Sequence, residues 1–187
     1  MGNSLNIVIL SSDRYPDGGA SANRHLAYSK GLCELGNSVT FILLGQQKDN
    51  KPAFEIDGIK FIGTFKKNPF SELFKNHGSL ISVPSIPEGR IQLKKLIKKG
   101  KVDLVIVLDT HLWMLLPFLN LCKRHGTKVL HERTEYPQVA LKRGLAGRFH
   151  YYLYRRFFLS RINGLFVISN ALKRFFDEQV ENKIPVQ

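Results

Sequence analysis

The sequence predicts an α/β fold: a doubly wound parallel sheet flanked by helices. Two observations carry the prediction. Short runs that are apolar throughout, at residues 5–10 and 39–44, have the composition of strands buried on both faces. These runs alternate with longer stretches of helical periodicity, several of them closed by glycine.

The elements follow in order. Residues 5–10 form a first strand that ends in a loop from Ser11 to Gly19. A helix is expected over 21–35, stopped by Gly36 just past its end. Residues 39–44 supply a second strand and complete a βαβ unit. Phe54 and Ile56 precede Asp57-Gly58, and Ile59, Phe61 and Ile62 follow, which is a hairpin signal. Residues 64–87 carry Pro69, Gly78, Pro84 and Pro87 and no clear strand. A short helix fits there, from Asn68 as N-cap to Gly78, presenting Phe70, Leu73 and Phe74. The alternation then resumes. A basic helix is expected at 88–99, closed by Gly100, and a strand at 102–108. An apolar helix at 112–125 is closed by Gly126, and a short strand follows at 128–131. One long aromatic and basic helix is expected at 145–162, then a strand at 165–168 and a last helix to about 178, N-capped by Ser169.

The chain has 187 residues, the size of one domain, with no internal repeat and no Gly/Ser linker. Its 43% hydrophobic and 23% charged residues exclude a disordered chain. No apolar stretch approaches the ~20 residues that span a bilayer. The first residues show no secretory signal pattern. Cys33 and Cys122 are isolated in helix-like apolar surroundings and read as buried free thiols of a reducing compartment. The net charge of +13 favours a polyanionic neighbour, whether nucleic acid, anionic lipid or a phosphate-bearing substrate. Simple solubility is the plainer alternative.

In an open α/β sheet, ligands bind outside the carboxyl ends of the strands. That rule nominates four places. The first is the loop leading to Gly18 and Gly19, whose backbone can approach a ligand closely while helix N–H groups point at a negative charge. It is neither GxGxxG nor GxxxxGK[ST], which disfavours a dinucleotide fold and a P-loop. A flexible turn is the alternative. The second is Asp109-Thr110-His111, where His111 suits a hydroxyl, a phosphate or acid/base chemistry. A structural His111 and an N-cap Asp109 are the alternatives. The third is the stretch 131–137, where Glu132 and Arg133 stand side by side at the end of a buried strand. Such charges are costly unless paired or used, so they form either a site or an internal ion pair. The fourth is Ser169-Asn170. No cluster of metal-ligand spacing is seen.

These residues carry a family resemblance spread over the whole length. Tyr15-Pro16-Asp17-Gly18-Gly19-Ala20 resembles the Pro-x-Gly-Gly loop of the GT-B glycosyltransferases of family 4, the "group 1" type. Residues 32–40 are similar to that family's L-x-x-x-G-H-x-V-T, with Asn37 in place of the His. Residues 102–111 resemble its P-D-v-v-h-x-H strand, and 129–137 its strand and loop v-x-x-E/H-x-x-x-P. Residues 165–172 are similar to v-i-x-v-S-x-x-l. The resemblance implies a Rossmann-like sheet, the N-terminal, acceptor-side half of a retaining hexosyltransferase using a nucleoside-diphosphate sugar and no metal or other cofactor. The donor-binding C-terminal domain of that family has no counterpart in residues 1–187, so the isolated domain is expected to be inactive. By position, Gly18 and Gly19 would face the donor phosphates, and His111, the candidate catalytic residue, the transferring sugar or acceptor hydroxyl. Asp109, Glu132 and Arg133 would bind substrate. The acceptor, a glycan or lipid-linked group of cell-envelope polysaccharide or glycolipid synthesis, would be read by 64–87 and 134–148. The protein would be cytoplasmic.

The charge is uneven. Residues 90–101 hold six basic residues and no acid, with Leu93, Leu96 and Ile97 on one helical face. Residues 142–161 hold six more and again no acid. Aromatic and basic residues interleaved on a helix suit an anionic membrane surface, which would place the protein peripherally on the inner face of the cell membrane. The same pattern occurs in nucleic-acid binding, the less favoured partner here. Alternatively, Phe149, Tyr152 and Phe157 pack on the sheet and the charges are merely solvated. A different class of function remains: a non-catalytic α/β module that docks on membrane or partner through these helices.

Overall fold

The computed structural model describes residues 4–45, 47, 51–64, 85–100, 102–108, 112–180 and 184–187. The expected helix at 68–78, and Asp109 and His111, lie outside the described residues. The fold is α/β, with a seven-stranded, mostly parallel sheet in the order β3-β4-β2-β1-β5-β6-β7. Contacts divide the chain into two compact units, Met1–Val105 and Ile106–Gln187.

The first unit holds β1 (Asn6–Ser11), α1 (Gly19–Glu34), β2 (Ser38–Leu43), β3 (Ala53–Ile56), β4 (Ile59–Gly63) and α2 (Ser85–Lys98). The strand β5 (Leu104–Val107) begins in it. β1 and β2 pair in parallel from Asn6↔Ser38 to Ser11↔Leu43, and β2 pairs in parallel with β4. β3 and β4 are the expected antiparallel hairpin, with Ile56 opposite Ile59. Asp57 and Gly58 turn it with φ of 50° and 79°, a geometry that Gly and Asp tolerate best. Phe41 stacks on Phe61 at 4.9 Å and Phe54 on Phe61 at 4.7 Å, joining the hairpin to the core.

Two motif residues prove structural. Asn37, standing where the family pattern has His, donates to the Leu32 carbonyl at 3.0 Å and accepts the Leu5 N–H at 3.0 Å. Asp103 accepts the Asn6 N–H at 2.7 Å. Both tie the amino ends of strands. Helix α2 starts at Ser85, three residues before the expected Glu88, because Pro87 fits the first turn, where no N–H is needed. Leu93 is buried, as its apolar face requires.

The second unit holds α3 (Leu112–His125), β6 (Lys128–Arg133), a 3₁₀ segment Pro137–Arg143 and α4 (Gly144–Leu153). A π turn Tyr154–Phe158, a 3₁₀ turn Leu159–Arg161, β7 (Gly164–Val167) and α5 (Asn170–Val180) follow. β6 and β7 pair in parallel from Leu130↔Gly164 to Arg133↔Val167. The segment at 184–187 runs along β7, with Leu165 N–H donating to Pro185 and Val167 N–H to Gln187. Ser169 caps α5 as expected: its hydroxyl accepts the Leu172 N–H at 3.2 Å. That hydroxyl is therefore committed to the helix, which weakens the fourth nominated place.

Three expectations need correction here. The single helix expected at 145–162 is instead α4, the π turn and a 3₁₀ turn in succession. Phe149, Tyr152 and Phe157 do not fill the core. They are 63%, 57% and 39% exposed, while Tyr154 and Phe158 are buried in their stead. Of the two cysteines, Cys122 is buried but Cys33 is only partly so.

Burial pushes the Cys122 thiol up to about 12, so it stays protonated and unreactive at pH 8. Iodoacetamide at pH 8 is expected to label one thiol, Cys33, in the native chain and two in denaturant, as read by intact mass. Two rapid labels in the native chain would show that Cys122 is open to solvent.

Candidate functional site

At the carboxyl end of β1 the chain builds a polar network around Gly18 and Gly19. Tyr15 is 6% exposed and His25, on α1, 3%. The Tyr15 hydroxyl lies 3.0 Å from Ser11 Oγ and 3.0 Å from His25 Nδ1. Asp13 accepts the Ser21 hydroxyl at 2.7 Å and stands 3.3 Å from His25 Nδ1. On the other side of the ring, an Arg24 guanidinium nitrogen is 3.3 Å from His25 Nε2. A guanidinium only donates, so Nε2 accepts and the ring proton sits on Nδ1, facing Tyr15 and Asp13. Gln47 ties the loop from below. Its amide accepts the Tyr15 N–H at 2.8 Å and donates to the Asp13 carbonyl at 2.9 Å. The Tyr15 ring packs on Phe41 at 4.9 Å and Phe61 at 5.4 Å.

This network fixes the position of the glycines. Gly18 caps α1 with no side-chain cap bond, and α1 has no acid in its first turn. A glycine helix start of this kind suits a negative group, and the Asp13 carboxylate, bonded to the Ser21 hydroxyl, already stands beside it. A Cβ on Gly18 would lie 2.0 Å from the Arg14 carbonyl and 2.6 Å from Ala22 Cβ. Gly19 has φ of +76°, which disfavours any side chain. Sequence reasoning found the two glycines but missed Tyr15, His25 and Gln47. The bonds that join these three to one another and to Asp13 span 10 to 34 positions, a separation that periodicity does not show.

The third place is built differently from the sequence expectation. β6 extends through Arg133, and His131, Glu132 and Arg133 are 0%, 3% and 5% exposed. Successive strand residues point to opposite faces, so neighbouring Glu132 and Arg133 are not aimed at one another. Arg133 donates from Nη2 to the Glu135 carbonyl at 3.0 Å and lies 5.2 Å over the Tyr154 ring. It thus fixes the following loop. His131 packs on Phe158 at 4.6 Å. Burial lowers the Arg133 pKa from its ordinary value, countered by Tyr154 and Glu135. Burial likewise raises the Tyr154 phenol, with Arg133 opposing. Among the described residues, Arg133 Nε and the Tyr154 hydroxyl are buried without a hydrogen-bond partner. No group of three or more His, Cys, Asp or Glu among the described residues could hold a metal ion.

Sucrose-phosphate synthase from Thermosynechococcus elongatus superposes with a TM-score of 0.70 at 13% identity, over 97% of this chain and 46% of that one. A glycosyltransferase from Rickettsia africae matches with a TM-score of 0.57 at 18% identity, over 99% and 43%. Arabidopsis thaliana UGT89C1, solved with UDP-L-rhamnose, matches with a TM-score of 0.62 at 12% identity, over 99% and 51%. The fold is one that GT-B glycosyltransferases use. At these identities the likeness is one of fold, and the chain spans about half the length of the structures it matches. No family model and no curated protein matches the sequence.

Two substitutions test the loop. Gly18→Ala overpacks against backbone and is expected to cost about 1–3 kcal/mol in urea unfolding. Tyr15→Phe removes a hydroxyl from a buried network and should also cost about 1–3 kcal/mol. Stability unchanged in both variants would show that the loop is not held by these contacts.

Proposed function

We propose that the chain is the acceptor-side half of a retaining glycosyltransferase that uses a nucleoside-diphosphate sugar. The acceptor in this reading is a glycan or lipid-linked group of cell-envelope polysaccharide or glycolipid synthesis. One observation supports it most: α1 opens at Gly18 and Gly19 with no side-chain cap bond, in a fold whose solved examples include one complexed with UDP-L-rhamnose. In this reading the amides of Gly18 and Gly19 meet the donor diphosphate. His111 faces the transferring sugar or acceptor hydroxyl, and Asp109 binds substrate. Arg133 and Glu132 serve substrate from the end of β6, Arg133 through the loop it holds. A second, donor-binding domain completes the site, so residues 1–187 alone transfer no sugar. Neither metal nor other cofactor takes part.

The product of the whole reading frame, assayed for nucleotide release from nucleoside-diphosphate sugars, tests this. Transfer is expected from that product and not from residues 1–187. In it, His111→Ala should lower turnover by about 100-fold or more with an unchanged melting temperature. Transfer by residues 1–187 alone, or unchanged kinetics in His111→Ala, would contradict the reading.

A second reading has its own observation. Leu145, Phe149 and Tyr152 stand at i, i+4 and i+7 along α4 and are 83%, 63% and 57% exposed. Lys142, Arg148, Arg155 and Arg156 flank them in an acid-free stretch. No helix among the described residues is long and apolar enough to cross a membrane. In this reading α4 lies on the anionic inner face of the cell membrane, each basic residue contributing about 1 kcal/mol, in a cytoplasmic enzyme or a non-catalytic module. Sedimentation with phosphatidylglycerol vesicles should carry the chain down at low salt and release it at high salt. Equal binding to neutral phosphatidylcholine vesicles would refute it.

A further inference from the structure

The broken helix that follows α4 creates a cavity the sequence did not suggest. Lying wholly within the second unit, it has a volume of ≈ 740 Å³, within the range of small-molecule sites, about 300–1,000 Å³. Tyr151, Tyr152, Arg155, Arg156, Leu159 and Ser160 line one side. These pairs recur every four residues. On a uniform α-helix a four-residue repeat drifts by about 40° per step. The wider π turn at Tyr154–Phe158 takes up part of that drift, and both adjacent arginines reach the same space.

The lining is chemically divided. Arg155 and Arg156 supply two positive charges, and neither has a carboxylate partner among the described residues. The Arg155 guanidinium lies 5.8 Å over the Tyr151 ring, which helps to hold it in place. Ile162, Val180 and Ile184 are the apolar lining. Gln179 lines the cavity too, and its amide oxygen is buried with no partner among the described residues. The cavity thus suits an anion and a hydrocarbon chain in one molecule.

We propose that this cavity binds a single phosphate-bearing amphiphile, with its phosphate on Arg155 and Arg156 and its chain against Ile162, Val180 and Ile184. The proposal stands on the cavity itself. It requires neither sugar transfer nor adsorption of α4 to a bilayer, and its readout separates it from both.

The test is calorimetric titration of the chain with dihexanoyl phosphatidylglycerol below its micelle concentration. Dihexanoyl phosphatidylcholine and inorganic phosphate are the comparison arms. Saturable one-to-one binding of the phosphatidylglycerol is expected, at least tenfold tighter than either comparison. Arg155→Ala/Arg156→Ala should weaken it at least tenfold. Lys123→Ala/Arg124→Ala, which removes the same charge from exposed positions outside the cavity, should leave it unchanged. Ile184→Asn, a neutral polar change in the segment that runs along β7, should weaken the amphiphile and leave phosphate unaffected, which keeps the test decisive if the arginine pair proves to be needed for folding. Inorganic phosphate binding as tightly as the amphiphile would replace the proposal with a simple phosphate site. Equal losses in the two double variants would overturn it in favour of diffuse charge.

Discussion

Ile7 to Leu10 of β1 and Phe41 to Leu43 of β2 are buried on both faces of the sheet, and most of what the molecule can do follows from this. A strand covered on both sides has no room for unpaired polar groups along its length. Polar side chains are therefore displaced to the strand ends, where the ladder stops. At the amino ends they serve structure: Asn37 and Asp103 close strands onto one another through backbone groups. At the carboxyl end of β1 they gather in the network of Ser11, Asp13, Tyr15 and His25, which holds the Gly18–Gly19 turn.

The carboxyl end of β6 shows what happens when a charge stays inside. Arg133 keeps its guanidinium in the interior by lying over Tyr154 and donating to the Glu135 carbonyl. Replacing water with a ring face and one carbonyl leaves part of the desolvation uncompensated, hence its lowered pKa. The same tyrosine begins the π turn. One aromatic residue thus joins the buried end of β6 to the break that opens the neighbouring cavity.

Much of this was legible in the sequence, for physical reasons that differ by element. Continuous apolar runs revealed β1 and β2 because burial on both faces leaves no alternative composition. Asp57-Gly58 revealed the hairpin because few residues tolerate positive φ. Ser169 revealed the start of α5 because a hydroxyl there meets an orphan N–H. The π turn was not legible: its residues fit a helical period, and only tertiary packing of Tyr154 and Phe158 selects the wider turn. β6 read two residues short because Glu132 and Arg133 look like loop residues until a ring and a carbonyl are found to receive the arginine. The Gly18–Gly19 turn was found from its composition, whereas Tyr15, His25 and Gln47, which hold it, meet only through the fold.

The central claim is that the carboxyl ends of the strands, and the amides of Gly18 and Gly19 above all, receive the diphosphate of a nucleotide sugar. Amide chemical-shift mapping of the chain titrated with UDP measures this directly. The largest shifts should fall on residues 18–21, with little change at Asn37 and Asp103 at the opposite strand ends. Shifts centred on Asn37 and Asp103, with residues 18–21 silent, would contradict it.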